Sequence, residues 1–308
     1  MLRKTILFDL SHNEMLNIEE QEFSNLYNLL QSLNLKIKKN ENRNLTKKVL
    51  DNVDILVIGN PIDDYFSNIE IKEIVDFVRN GGSILLISEY GADYLQKTNL
   101  NDISGMHFGI HFEKNLIKSS ADDDENSSSI VKIYNSFNHE ITNGLREIVI
   151  GGSCSLFLDK EAESLLKVVK KNVWTETFNG SASKWIKEQV QEQEQIIAAC
   201  TEFGQGKIVA FGDIDIFCNG TNFGINSFDN LKLIENIINW LIEPVKKSDV
   251  MTFLLNQLGD LQNSIKEMTI TINNIIETMT ILEKRISYLE DITPIVNESK
   301  ERESSQEE

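Results

Sequence analysis

The sequence predicts an α/β protein: a doubly wound, mostly parallel sheet over residues 1–245, followed by an α-helical coiled coil over residues 249–292. Three observations carry this. Wholly apolar runs recur at 5–9 (TILFD), 54–59 (DILVIG) and 83–88 (SILLIS). Such runs suit strands covered on both faces, as in a parallel sheet packed between helices. Amphipathic segments separate them, which is the alternation of βαβ units. Finally, twelve apolar residues stand in unbroken heptad register near the end of the sequence.

In chain order, the first apolar run is followed by Phe23, Leu26, Tyr27, Leu30 and Leu33 at helical spacing. An alternating strand at 35–39 comes next, then the strand at 54–59. The following helix has clear punctuation. Ser67 and Glu70 have capping-box spacing, Ile71, Ile74, Val75 and Val78 supply the apolar face, and Gly81 and Gly82 end it. After the 83–88 strand come a less regular helix and a strand at 108–112. Further strands are expected at 148–150, 155–158 and 165–169, and a polar Gln/Glu-rich stretch at 181–195 interrupts this middle region. Strands at 196–201 and 207–211, joined by Gly204, Gln205 and Gly206, form a hairpin. Leu231, Ile234, Ile237, Ile238 and Leu241 face inward from the last domain helix, which Pro244 stops.

The heptad a positions are Met251, Leu258, Ile265, Ile272, Met279 and Ile286, and the d positions are Leu254, Leu261, Met268, Ile275, Leu282 and Leu289. A 3.5-residue apolar repeat stays on one side only when helices supercoil. The rod would be roughly 60 Å long. Ile predominates at a and Leu at d, which favours a parallel two-stranded coil, so a homodimer is the favoured oligomer, with a trimer or a heteromeric coil as the alternatives. The flanking e and g positions are poor in charge, and apolar Leu255 and Ile276 widen the seam. Residues 293–308 read as a disordered acidic tail, and the Ser- and Asp-rich stretch 119–129 as a mobile loop.

Composition narrows the function. The 308 residues are 41% hydrophobic and 25% charged, ordinary for a soluble protein. The formal net charge of −18 is set against nucleic acid or an anionic membrane as partner. Cys154, Cys200 and Cys218 are odd in number, widely spaced and free of any CxxC pair, as in a reducing compartment. With no signal-peptide pattern and no run of 18 apolar residues, the expectation is a cytoplasmic protein without a membrane span.

In a parallel sheet, chemistry gathers where the strands end. Asp9, Ser11, His12, Asn60, Ser88, Glu89, Asp213 and Asp215 lie at or just beyond expected strand ends. If those ends converge, they ring one polar cleft in which carboxylates and an imidazole could hold a divalent metal. Asp9 and Asp213 equally suit turn and helix caps, so no cofactor and no metal are assigned. His107 and His111 have HxxxH spacing. Met106, Phe108, Ile110 and Phe112 alternate as in a strand, though, which separates the two imidazoles by roughly 13 Å. His139 reads as a loop residue bonding backbone. There is no GxSxG elbow, no Walker A and no GxGxxG after the first strand.

The blocks ILFDLSHNE (6–14), GGSILLISEYG (81–91), FGIHF (108–112), NHEITNGL (138–145), GQGKIVAFGDIDIF (204–217) and NLKLIENIINWL (230–241) occur in this order. Their order resembles the glutamine-amidotransferase-like domain shared by gliding-motility ABC-transport auxiliaries and intraflagellar-transport proteins. The resemblance spans roughly residues 3–243 and implies a flavodoxin-like sheet. Active amidotransferases of that superfamily carry a Cys nucleophile on the elbow after the third apolar strand. Here Ser88, Glu89 and Tyr90 stand there, so amidotransferase activity is not implied. The expected function is a non-enzymatic scaffold that docks protein partners through this domain and oligomerises through the coil. The alternatives are a soluble auxiliary subunit of an ABC transport system and a metal-assisted hydrolase using Asp9, His12, Asp213 and Asp215.

Overall fold

A computed structural model describes residues 3–120, 127–134, 139–159, 161–168, 172–187, 194–245 and 249–304. Side chains of the long C-terminal helix are described at Leu254 and over 257–287. The chain divides into two compact units, Met1–Val245 and Lys246–Glu308. Among the described residues, no helix is long and apolar enough to cross a membrane.

The first unit opens with β1 (Thr5–Asp9), a 3-10 turn (Gln21–Phe23), α1 (Ser24–Ser32), β2 (Lys36–Asn40), α2 (Lys47–Leu50), β3 (Ile55–Gly59), α3 (Asn68–Arg79) and β4 (Ser83–Ile87). It continues through α4 (Ala92–Gln96), α5 (Leu100–Phe108), β5 (Ile110–Phe112), β6 (Asn115–Ser119), β7 (Ile130–Tyr134), β8 (Glu147–Gly151), β9 (Leu156–Leu158) and β10 (Glu163–Val168). The unit closes with β11 (Val173–Asn179), β12 (Lys184–Lys187), β13 (Gln195–Phe203), β14 (Gly206–Phe211) and α6 (Asn230–Ile242). Helix α7 (Asp249–Ser304) forms the second unit.

The principal sheet runs β2-β1-β3-β4-β14-β13-β9-β5, with β10 also on β13. The first five strands are parallel and the later pairings antiparallel. This is the doubly wound, mostly parallel α/β sheet that the apolar runs predict. Successive side chains of each parallel strand enter opposite cores. Ile6, Phe8, Ile55, Val57, Leu85, Ile87, Val209 and Phe211 pack with α1 and α6 on one side. Leu7, Leu56, Ile58, Ile84, Leu86, Ile208 and Ala210 pack with α3 and α5 on the other. Period-2 alternation between two buried faces is what makes these strands apolar throughout. Smaller sheets, β12-β11-β6 and β7-β8, complete the domain.

The capping box of α3 forms as expected: Ser67 Oγ accepts from the Glu70 backbone, and the Glu70 carboxylate accepts from Ser67 N at 3.0 Å. The hairpin of β13 and β14 closes at Gly204, whose φ of +67° a glycine adopts without strain.

Three expectations are corrected. The alternation at 106–112 is not one strand. Met106, His107 and Phe108 finish α5, Gly109 turns the chain with φ +69°, and only Ile110–Phe112 is strand. His107 and His111 therefore sit on different elements. The polar stretch at 181–195 contains strand β12, because Trp185 packs on Phe178 of its partner strand. Third, α7 continues to Ser304, past residue 293 where the acidic tail is expected. Glu298, Lys300, Glu301, Arg302 and Glu303 are strong helix formers despite their charge. Residues 305–308, and residues 121–126 of the Ser- and Asp-rich stretch, lie outside the described residues.

Asn230, buried at the start of α6, ties that helix to β8. Its Oδ1 accepts from Val149 N at 3.1 Å, and its Nδ2 donates to Val149 O, Phe223 O and Gly224 O. Asn230→Ala leaves those buried backbone groups without partners. We expect a loss of roughly 3 kcal/mol or more in urea unfolding of the domain.

Candidate functional site

The parallel run places the carboxyl ends of β2, β1, β3, β4 and β14 on one edge of the sheet. The expected site residues do lie along that edge, but as two groups rather than one cleft. Neighbouring strands are about 4.8 Å apart, so the ends of β1 and β14, three strands over, are separated by about 14 Å. Within each group the ligand-capable atoms lie within 4.8 Å of one another.

The first group is Asp9, His12 and Glu14. Asp9 ends β1 and is almost fully buried. Its Oδ2 stands 2.6 Å from His12 Nδ1, while its Oδ1 accepts from Ser11 Oγ at 2.8 Å and from Asn40 Nδ2 at 2.9 Å. On the other side of the ring, His12 Nε2 faces Glu70 Oε1 at 3.2 Å, and Phe66 stacks on the ring at 4.0 Å. Glu14 Oε2 accepts from His12 N at 3.1 Å. Its Oε1 is buried, 3.9 Å from His12 Nδ1. Burial acts to raise the Asp9 value, but the hydrogen bonds from His12, Glu14 and Asn40 bring it below the ordinary carboxylate range. Burial acts to lower the His12 value, and the bond and charge of Asp9 with the charge of Glu70 outweigh it, so the imidazolium is favoured. Burial, then the nearby Asp9 charge, push Glu14 up to about 10, so its carboxyl holds a proton at neutral pH.

The second group is Glu89, Asp213 and Asp215. Asp213 is fully buried; its Oδ2 accepts from Gly151 N at 2.9 Å and its Oδ1 from Asp215 N at 2.8 Å. Glu89 Oε2 accepts from Ile214 N at 3.3 Å and its Oε1 from Tyr90 N at 3.2 Å. These bonds cap the turn after β14, which is the turn-capping role the sequence leaves open for Asp213. Burial, then the charges of Asp213 and Asp215, push Glu89 well above the ordinary range. Burial pushes Asp213 up to about 8, against the backbone bond from Gly151. Asp215, less buried, is also raised by desolvation.

Asn60 and Ser88 fall between the groups. Asn60 follows β3 in a left-handed conformation, φ 55°, with its Nδ2 on Met15 Sδ and its Oδ1 unpartnered. Ser88 follows β4, and its buried Oγ has no hydrogen-bond partner, hence no base. The left-handed backbone that follows β4 lies at Gly91 (φ 77°) and Ala92 (φ 41°), not at Ser88. The serine therefore lacks both parts of a nucleophile elbow. The cysteines do no better as nucleophiles. All three are free, and burial raises Cys154 well above its usual value and both Cys200 and Cys218 to about 12. His139 Nε2 does lie 3.6 Å from Cys200 Sγ, but its Nδ1 accepts from Ile141 N at 3.1 Å as a turn cap. That is the backbone-bonding role read from sequence. His111 Nε2 faces Asp159 at 3.4 Å, and burial lowers His107.

Glu14, Asn40 and Glu70 are the group members that sequence reading did not select. Glu70 was legible only as a cap, and Asn40 only as the end of a neighbouring strand.

The strand order and the helices on both faces define a flavodoxin-like, doubly wound α/β fold. The family model of the IFT52 GIFT domain matches residues 5–144. Among solved structures, the mmIFT52 N-terminal domain aligns with a TM-score of 0.61 and 18% identity, covering 77% of this chain and 97% of that one. A cytoplasmic protein from Salmonella typhimurium LT2 aligns with a TM-score of 0.52 and 13% identity, covering 78% and 100%. Both likenesses concern the fold. No curated protein matches the chain.

Asp213 yields a pH test. Its folded-state value of about 8 lies above the ordinary 3.8, so the folded protein holds a proton that the unfolded chain releases. That contribution is complete below about pH 4 and declines as pH rises toward 8. Between about pH 5 and 8, the wild-type melting temperature should fall more steeply than that of Asp213→Asn. Parallel curves would contradict the assignment.

Proposed function

We propose that the protein is a non-enzymatic, cytoplasmic scaffold of the intraflagellar-transport type. Its amidotransferase-like domain docks protein partners, and its C-terminal helix joins two copies of the chain in a parallel coiled coil. The observation that carries this reading is the state of the heptad stripe. From Leu254 to Ile286 its ten described residues are each 50–58% exposed. Met251 and Leu289, the outermost stripe residues, lie outside the described side chains. A stripe of ten half-exposed Leu, Ile and Met side chains is stable in water only when a partner covers it.

The family match over residues 5–144 supports the transport-scaffold part of the reading, since the matching family is named for an intraflagellar-transport protein. Buried, unassisted Ser88 and three thiols with raised values support a role without turnover. The separation of Asp9 and His12 from Asp213 and Asp215 removes the single acidic cleft on which a metal-assisted hydrolase would depend.

Removing residues 249–308 should leave a monomer in multi-angle light scattering, where the full chain is a dimer. A substitution version keeps the helix: Ile272→Glu together with Ile275→Glu should dissociate the dimer while leaving the unfolding transition of the domain unchanged. Survival of the dimer in both would overturn the proposal.

A further inference from the structure

Strand β12 lies at an open sheet edge. On one side it pairs with β11: Lys184 with Asn179, Trp185 with Phe178, Ile186 with Thr177 and Lys187 with Glu176. Among the described residues no strand pairs with its other side, where outward backbone N–H and C=O groups can take an added strand. The opposite edge of this small sheet is closed. There Ile117 N of β6 donates to Ser153 O at 2.9 Å, and Ser119 pairs with Ser128.

The side chains along this edge define the chemistry it would accept. Trp185 shares one face with Phe178, 5.5 Å away, and with half-exposed Tyr90, 6.0 Å away. Lys187 lies on that face too, its Nζ 3.8 Å over the Trp174 ring. Strand alternation sends Lys184 and Ile186 to the other face, where Ile186 is 42% exposed. Lys184 and Lys187 are exposed and form no ion pair among the described residues, although Asp and Glu outnumber Lys and Arg by 48 to 30 in this chain. Lys132 and Lys167, by contrast, are each held by a carboxylate, that of Glu147 and that of Glu194. Lysines also serve to protect strand edges from unwanted pairing. Strand β2, at the edge of the principal sheet, has that pattern: Lys36, Lys38 and Lys39 surround a single apolar residue, Ile37. On β12 two lysines instead bracket two apolar side chains, one of them well exposed, which protection alone does not require.

We propose that β12 docks an acidic, extended segment of a partner protein by strand addition, with an acidic–apolar–apolar–acidic pattern set opposite Lys184, Trp185, Ile186 and Lys187. The apolar residues of the partner cover Trp185 and Tyr90 on one face and Ile186 on the other, and its carboxylates pair with the two lysines. A second copy of this chain fits the edge poorly. Antiparallel pairing of two β12 strands sets Lys184 opposite Lys187 at both ends, and parallel in-register pairing sets each lysine opposite itself; like charges directly opposite are destabilising. The inference gives a place to the partner-docking role proposed above and rests on that reading.

The test uses the full chain and a fluorescein-labelled synthetic peptide with Glu-Val-Val-Glu at its centre and Ser and Thr on either side, titrated by fluorescence anisotropy. Saturable binding of one peptide per chain is expected, with a Lys-Val-Val-Lys version at least about fivefold weaker. Lys184→Gln together with Lys187→Gln should abolish that preference while the domain still melts cooperatively, since both side chains are exposed. An added strand uses only alternate peptide amides in its ladder. N-methylation of one alternate set of amides should therefore abolish binding, and methylation of the other set should leave it intact. No saturable binding, an unchanged preference in the folded double variant, or equal binding by the two methylated peptides would overturn the proposal. Light scattering on the same samples separates the two readings: a peptide that fails to bind while the dimer persists removes this docking site and leaves the assembly reading standing.

Discussion

Five adjacent strands pointing the same way constrain everything else in the domain. A parallel strand reaches the next one only by crossing over a face of the sheet, so helices must cover both faces. The alternation of Ile6, Leu7 and Phe8 between two cores is the local result. The same parallelism sends every strand's carboxyl end to one edge. Polar residues that cap those ends, Asp9, Asn40, Asn60 and Asp213, are then crowded at the rim of a dry core. Their burial shifts their proton affinities: Asp213 and Glu14 rise, whereas Asp9 falls because His12 stands against it.

Strand order decides which of those ends meet. Strand β1 lies between β2 and β3, so Asp9 meets Asn40. Strand β14 lies beside β4, so Asp213 meets Glu89. The two groups reach different electrostatic solutions. Asp9 has a histidine partner and stays charged, whereas Glu89 and Asp213 face each other and Asp215 and favour protonation. Neither group includes a nucleophile, and the Ser88 hydroxyl just beyond β4 has no hydrogen-bonded base.

Much of this architecture was legible in the sequence where burial was uniform. Strands β1, β3 and β4 could be read from continuous apolar runs, α3 from its capping box, and β13–β14 from the glycine-bounded turn. Strands β11 and β12 were missed because VWTETFN and KWIK mix polar and aromatic residues on a partly exposed sheet, which leaves little periodic signal. The end of α5 was misread as strand because Met106, Phe108, Ile110 and Phe112 alternate across a helix terminus that only Gly109 marks. At the site, Asp9 and His12 were legible as neighbours because three residues separate them. Their contact with Glu70 depends on how α3 packs beside the first strand end, and the splitting of the cleft depends on strand order. Neither is encoded in local spacing.

The central proposal is that the α/β domain is carried on a rod that pairs with a second copy of itself, in parallel and in register. Disulfide trapping tests it most directly. In a parallel, in-register coil, equivalent d positions face each other across the seam. Leu261→Cys should therefore oxidise almost completely to a dimer on a non-reducing gel, whereas Glu277→Cys, at an outward f position, and the wild-type chain should remain monomeric on that gel. Failure of Leu261→Cys to cross-link, or equal cross-linking of Glu277→Cys, would contradict the account.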